Sequence, residues 1–138
     1  MSVLARFRSE SPFEVRDNAR KIEAKIIRLC MNEKYFPKRY RFILTTDIIQ
    51  DAHRLVDYIE AANTLPLTED FYKRRLMYQK EALIRIENIF RKMVLAEELG
   101  FTIPEAILIE MGEALSKEEG LIKNWIESDR TRIKQNKK

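Results

Sequence analysis

All four prolines of this chain, Pro12, Pro37, Pro66 and Pro104, fall near the starts of apolar-periodic segments or in the turns before them, and Gly100 closes one such segment. Proline is accommodated in the first turn of a helix, where its missing N–H leaves no bond unmade, and is excluded from helix interiors. The punctuation therefore divides the 138 residues into four helices, expected at about residues 12–33, 38–62, 69–99 and 103–128. No strand-like alternation competes with the 3.6-residue period. A chain of this length suits one domain with a single core, so the expected architecture is an all-α, up-down four-helix bundle.

The local signals agree with those boundaries. Ser11-Pro12-Phe13-Glu14 reads as a capping box opening the first helix, whose Val15, Ala19, Ile22, Ile26, Leu29 and Cys30 recur at spacings of three and four. Phe36-Pro37-Lys38-Arg39-Tyr40-Arg41-Phe42 reads as a hinge into a second helix with a basic leading end. Leu44, Ile48, Ala52, Leu55, Val56 and Ile59 give that helix a broad apolar arc, and Asn63 is expected as its left-handed cap. Thr68 is expected to cap a third helix, with Glu69 and Asp70 at the positive end of its dipole. Its expected core stripe is Tyr72, Leu76, Gln79, Leu83, Ile86, Phe90 and Met93. Gly100 fits the residue just past its end. Thr102-Ile103-Pro104-Glu105 reads as a second capping box, launching a fourth helix through Ile107, Leu108, Met111, Leu115, Ile122, Trp125 and Ile126. Glycine costs about 1 kcal/mol against alanine inside a helix, so Gly112 and Gly120 predict a kink near Lys117 to Gly120. Residues 129–138 are polar and basic, and a flexible tail is expected there.

Composition narrows the class. The chain is 45% apolar and 35% charged, a balance that forms a core rather than a disordered coil. No apolar run approaches the roughly 20 residues needed to span a bilayer. Arg6, Arg8 and Glu10 interrupt the N-terminal stretch, which lacks a secretory apolar segment, so the expectation is a cytoplasmic protein without a membrane partner. Cys30 lies on an apolar stripe and reads as a buried core thiol.

Few residues offer chemistry. There is no nucleophile elbow, phosphate-binding glycine loop or paired metal-ligand spacing, and His53 is the one histidine. It sits at the edge of the second helix's apolar arc, where it reads as a boundary residue. Asp47 with Asp51, and Glu97 with Glu98, read as solvated helix faces. No catalytic residue, metal or cofactor is expected. Ile27, Ile89 and Ile109 stand outside the expected stripes and read either as scattered surface residues or as a subunit contact.

Positive charge is more concentrated. At 100° per residue Arg74, Arg85 and Lys92 fall within about 20° of one another, nearly opposite the expected core stripe of the third helix. Arg75, Lys38, Arg39 and Arg41 extend the same charge, as do Arg130, Arg132, Lys134, Lys137 and Lys138. Such a face can simply solvate the helix and pair with glutamates one turn away. It can equally contact phosphates, which is affinity without sequence readout.

From about residue 18 to residue 130 the landmarks follow a known order: Phe36-Pro37-Lys38-Arg39-Tyr40-Arg41-Phe42, Ala62-Asn63, Leu83-Ile84-Arg85-Ile86, Leu95-Ala96-Glu97-Glu98-Leu99-Gly100 before Thr102, Glu110-Met111-Gly112, and Leu121-Ile122-Lys123-Asn124-Trp125-Ile126. In these the chain resembles the four-helix-bundle family that includes the accessory variability determinant proteins of diversity-generating retroelements and the ribosomal-RNA intervening-sequence proteins. It departs from the family in carrying Thr45-Thr46 where a small residue is usual, and in lacking the glycine pair before the tryptophan. The resemblance implies a non-enzymatic accessory subunit, protomer of a ring-like homopentamer. It also implies binding to RNA or DNA and to a reverse transcriptase that copies a template RNA mutagenically into complementary DNA. The contrasting expectation is a structural or regulatory bundle that binds only protein.

Overall fold

A computed structural model describes the backbone of residues 3–7 and 10–136, and side chains over the same ranges except at positions 5 and 6. Lys137 and Lys138 of the expected tail, and Arg8, lie outside the described residues. Four α-helices dominate: α1 (Glu14–Cys30), α2 (Thr46–Thr64), α3 (Glu69–Glu98) and α4 (Glu105–Asn136). The described residues contain no strand. Each helix packs against the next in sequence, and α4 closes against α1.

Side-chain bonds fix the directions. The start of α1 meets the end of α2 through Arg20 and Glu60, and the start of α3 meets the end of α4 through Arg75 and Asp129. Along α1 and α4, Lys25 pairs with Glu110 while Glu14 pairs with Lys117. Every neighbouring pair is antiparallel, which is the up-down arrangement.

The core is aliphatic. Ile48, Leu55, Ile59, Ile86, Ile89 and Ile122 are wholly excluded from solvent, and each such side chain contributes on the order of 1.5–3 kcal/mol on burial. Cys30 sits in this core and burial pushes its thiol up to about 12, leaving no thiolate near neutral pH.

One end of the bundle is sealed by rings. Phe36 is buried and meets Phe101 edge-on at 5.3 Å, while Tyr40 lies 5.0 Å from the same ring. The Thr102 hydroxyl donates to the Lys34 carbonyl at 3.2 Å. These contacts pin the α1–α2 connection to the α3–α4 turn.

Helix boundaries depart from the sequence expectations in physically informative ways. The capping boxes do not form: α1 has Phe13 at its N-cap with no side-chain cap, and Thr102 spends its hydroxyl on Lys34. Asp17 reaches back to the Phe13 N–H instead, at 3.4 Å. Thr68 precedes α3 without a side-chain bond. α1 stops at Cys30 rather than near residue 33, and α2 passes Asn63 to end at Thr64, with no residue other than glycine at positive φ among the described residues. Gly100, at φ 85°, is the expected left-handed residue after α3. The basic hinge is not α-helical: Lys38–Tyr40 is a 3-10 turn and Arg41–Thr45 a π turn before α2 proper begins.

α4 corrects two further expectations. It runs unbroken through Lys117 to Gly120, and it continues to Asn136 where a flexible tail was expected from residue 129. Asp129 and Ile133 are buried. Packing against α3 supplies the stability that the polar composition of this stretch withholds.

Candidate nucleic-acid interface

The position of the cations follows from how α3 is rotated in the bundle. Its buried residues are Arg75, Gln79, Ala82, Ile86, Ile89, Met93 and Ala96. Three of these belong to the expected stripe, and the rest lie one position to its side. At 100° per residue the true core face is turned by roughly 60° from the expected one. Small Ala82 and Ala96 face inward and let α2 approach, while Leu83 and Phe90 become half-buried flanks. Ile89, expected outside the core, is wholly buried within it. Ile27 is half-buried, and Ile109 is 53% exposed.

The same rotation brings two of the three chosen cations to the α2–α3 seam. Arg85 Nη1 lies 3.3 Å from Asp51 Oδ1, and Lys92 Nζ lies 2.5 Å from Asp51 Oδ2. Asp51 is 3% exposed, which overturns its reading as part of a solvated face. Arg85 also pairs with Glu81 at 3.6 Å and lies over the Tyr58 ring. Burial works against its charge, yet hydrogen bonds to Asp51 and Tyr58 outweigh that and raise its pKa. These two cations neutralise a buried carboxylate; they are not offered to a phosphate.

Arg75 is removed from the surface altogether. Its guanidinium makes two bonds to Asp129, at 2.6 and 3.2 Å, donates to the Leu65 carbonyl at 2.8 Å, and lies 5.3 Å from the Trp125 ring centroid. Arg41 is held by Glu33 at 3.4 Å. Arg74, Lys38 and Arg39 are exposed, and none has a carboxylate partner among the described residues. Exposed Lys73 and Lys80 share this condition.

The hinge presents a feature that charge counting misses. Thr46 caps the π turn twice, its N–H and its hydroxyl both bonding to the Arg41 carbonyl, the latter at 2.7 Å. Leu44 and Thr45 turn inward, leaving Phe42 and Ile43 outside at 90% and 72% exposure. The sequence signal was the aromatic residue following a run of cations.

His53 Nδ1 contacts Glu23 at 2.9 Å on the exposed flank between α1 and α2. Among the described residues, no group of three or more His, Cys, Asp or Glu could hold a metal ion, and no helix is long and apolar enough to cross a membrane. Compared with protein-family models, curated proteins and solved structures, the chain finds no significant match. What is established is a class, an all-helical four-helix bundle.

Proposed function

We propose that this bundle is a non-enzymatic accessory subunit of a diversity-generating retroelement, binding nucleic acid beside a reverse transcriptase and assembling as a ring of identical subunits. The retroelement, polymerase and pentamer parts rest on the ordered landmarks from residue 18 to residue 130. The observation that carries nucleic-acid binding is that Lys38, Arg39, Lys73, Arg74 and Lys80 are among the exposed cations without carboxylate partners within the described residues. Unpaired surface cations release counterions from phosphates, giving affinity that is sequence-tolerant and steeply salt-dependent.

The test is fluorescence anisotropy with unrelated DNA and RNA oligonucleotides across a salt series. Each lost phosphate contact lowers the log–log slope on duplex DNA by about 0.9. Replacing Lys38, Arg39 and Arg74 by Glu weakens binding to all sequences alike and flattens the slope, with helicity unchanged because the three are exposed. Absence of binding by the parent at low salt sinks the reading.

A second reading is a bundle that binds only protein. Met77, Ile84 and Leu95 favour it, being 50%, 48% and 42% exposed on the outward side of α3. Sedimentation equilibrium of the parent and of a Met77, Ile84 and Leu95 to Ser variant separates self-association through this stripe from nucleic-acid binding.

A further inference from the structure

We infer that the 3-10 and π turns at the head of α2 form a single-strand docking site, in which Phe42 stacks on an unpaired base and Lys38 and Arg39 hold the flanking phosphates. The inference rests on the nucleic-acid reading above and names the form of nucleic acid: single-stranded, with bases accessible.

Three observations converge. Phe42 is 90% exposed and Ile43 72% exposed, side by side on a segment whose neighbours Phe36, Leu44 and Thr45 are buried. A phenylalanine ring wholly in water loses apolar contact that a flat partner would restore. Next, Lys38 and Arg39 precede Phe42 by four and three residues, in the 3-10 turn that leads directly into the π turn carrying the ring. Both are exposed and lack a carboxylate partner among the described residues, and the charged residues of 37–43 are all cations, which suits a phosphate backbone, with Asp47 the nearest acid to Phe42 along the chain. Arg39 lies over the Tyr40 ring, 5.2 Å from its centroid. Third, the platform is tied to the bundle on several sides. Tyr40 and Phe36 pack on Phe101, Arg41 is tied to Glu33, and Thr46 closes the π turn on the Arg41 carbonyl.

An exposed ring flanked by cations is the arrangement by which proteins hold single strands without reading sequence, each base stacked on an aromatic face contributing about 1–3 kcal/mol. A duplex keeps its bases stacked and offers such a ring nothing but backbone. Arg74, Lys73 and Lys80 on α3 would then serve either form of nucleic acid, whereas Phe42 discriminates between them.

The experiment measures binding of the parent, Phe42→Ala, Phe42→Trp and the Lys38→Glu/Arg39→Glu pair to three probes of equal length: a single-stranded oligonucleotide carrying 2-aminopurine, the same strand with abasic positions, and a duplex. The parent is expected to quench 2-aminopurine and to prefer the base-bearing strand to the abasic one. Phe42→Ala weakens single-strand binding roughly five- to a hundred-fold, abolishes the quench and leaves duplex affinity within about twofold. Phe42→Trp restores both. The Lys38/Arg39 pair weakens binding to all three probes. Equal affinity of parent and Phe42→Ala for the single strand, or equal losses on single strand and duplex, overturns the stacking site while leaving the nucleic-acid reading intact. A parent that binds none of the probes removes both. Unchanged nucleic-acid affinity with self-association lost in Phe42→Ala by sedimentation assigns the ring to a second copy of the chain and overturns the inference.

Discussion

Arg75 and Asp129, 54 positions apart in the chain, form a buried two-point ion pair, Nε to Oδ2 at 2.6 Å and Nη2 to Oδ1 at 3.2 Å. Gln79 adds a third donor to the same carboxylate at 2.8 Å, and the guanidinium reaches the Leu65 carbonyl of the α2–α3 connection. Arg75 thus ties α3 to both α4 and the α2–α3 connection, and its α4 partner lies where a flexible tail was expected.

Replacing Asp129 by Ala leaves the Arg75 charge buried without its partner, and breaking such a pair costs about 3–5 kcal/mol. Urea denaturation is expected to show a loss of that order, and removal of residues 129–138 a loss at least as large. Arg75→Met combined with Asp129→Leu recovers much of it, since an apolar pair of similar volume needs no compensation. A change within about 0.5 kcal/mol in the Asp129→Ala protein would mark the C-terminal turns of α4 as detachable.

Glu118 makes the fold lose stability as the pH rises between about 4.5 and about 8. Its side chain is wholly buried between α1 and α4, Oε1 accepts from Asn18 Nδ2 at 3.1 Å, and Oε2 has no partner among the described residues. Burial raises its carboxyl from the usual 4.5 to about 8, against the opposing pull of Asn18 and Lys117. The unfolded chain releases this proton near the usual value while the folded chain retains it. Stability is therefore fully present below about pH 4.5 and declines toward about pH 8, at no more than about 1.4 kcal/mol per pH unit. Glu118→Gln removes this component, so urea midpoints at pH 5 and pH 8 lie closer together than in the parent. An unchanged difference between the two pH values would show that Glu118 ionises freely in the folded chain.

Ile89 and Ile109 look alike in the sequence and differ in the structure. Ile89→Ala opens a cavity in the α3 core and is expected to cost about 2–5 kcal/mol. Ile109→Ala trims a side chain that is 53% exposed and stays within about 0.5 kcal/mol. Thermal melts of the two variants side by side check the assignment, and similar losses in both would contradict it.

Much of the candidate site was legible and part of it was misassigned, for one reason. Arg74, Lys38 and Arg39 are exposed as their sequence neighbourhoods imply. Arg75, Arg85 and Lys92 look equally free in sequence, because their partners Asp129 and Asp51 lie on other helices. A signal for those partners existed. Asp51 stands three residues after Ile48 and four before Leu55, and Asp129 three after Ile126 and four before Ile133. An acid at an apolar station of a helical stripe is carried into the core with the stripe, and a buried ionised acid demands a cation.

The sequence by itself determined that this protein is helical, how many α-helices it has, and close to where α1 and α3 begin, where α2 and α3 end and where α4 begins. Those properties arise from proline, glycine and apolar spacing within a few residues, where local sterics and the helical period act. The tertiary structure alone decided which side of α3 faces inward, which cations are spent on buried carboxylates, and that α4 continues past residue 128. Each depends on side chains far apart in the chain. The rotation of a helix is chosen by the fit of small residues such as Ala82 and Ala96 against its neighbours, and close packing makes that a property of the whole bundle rather than of any one segment.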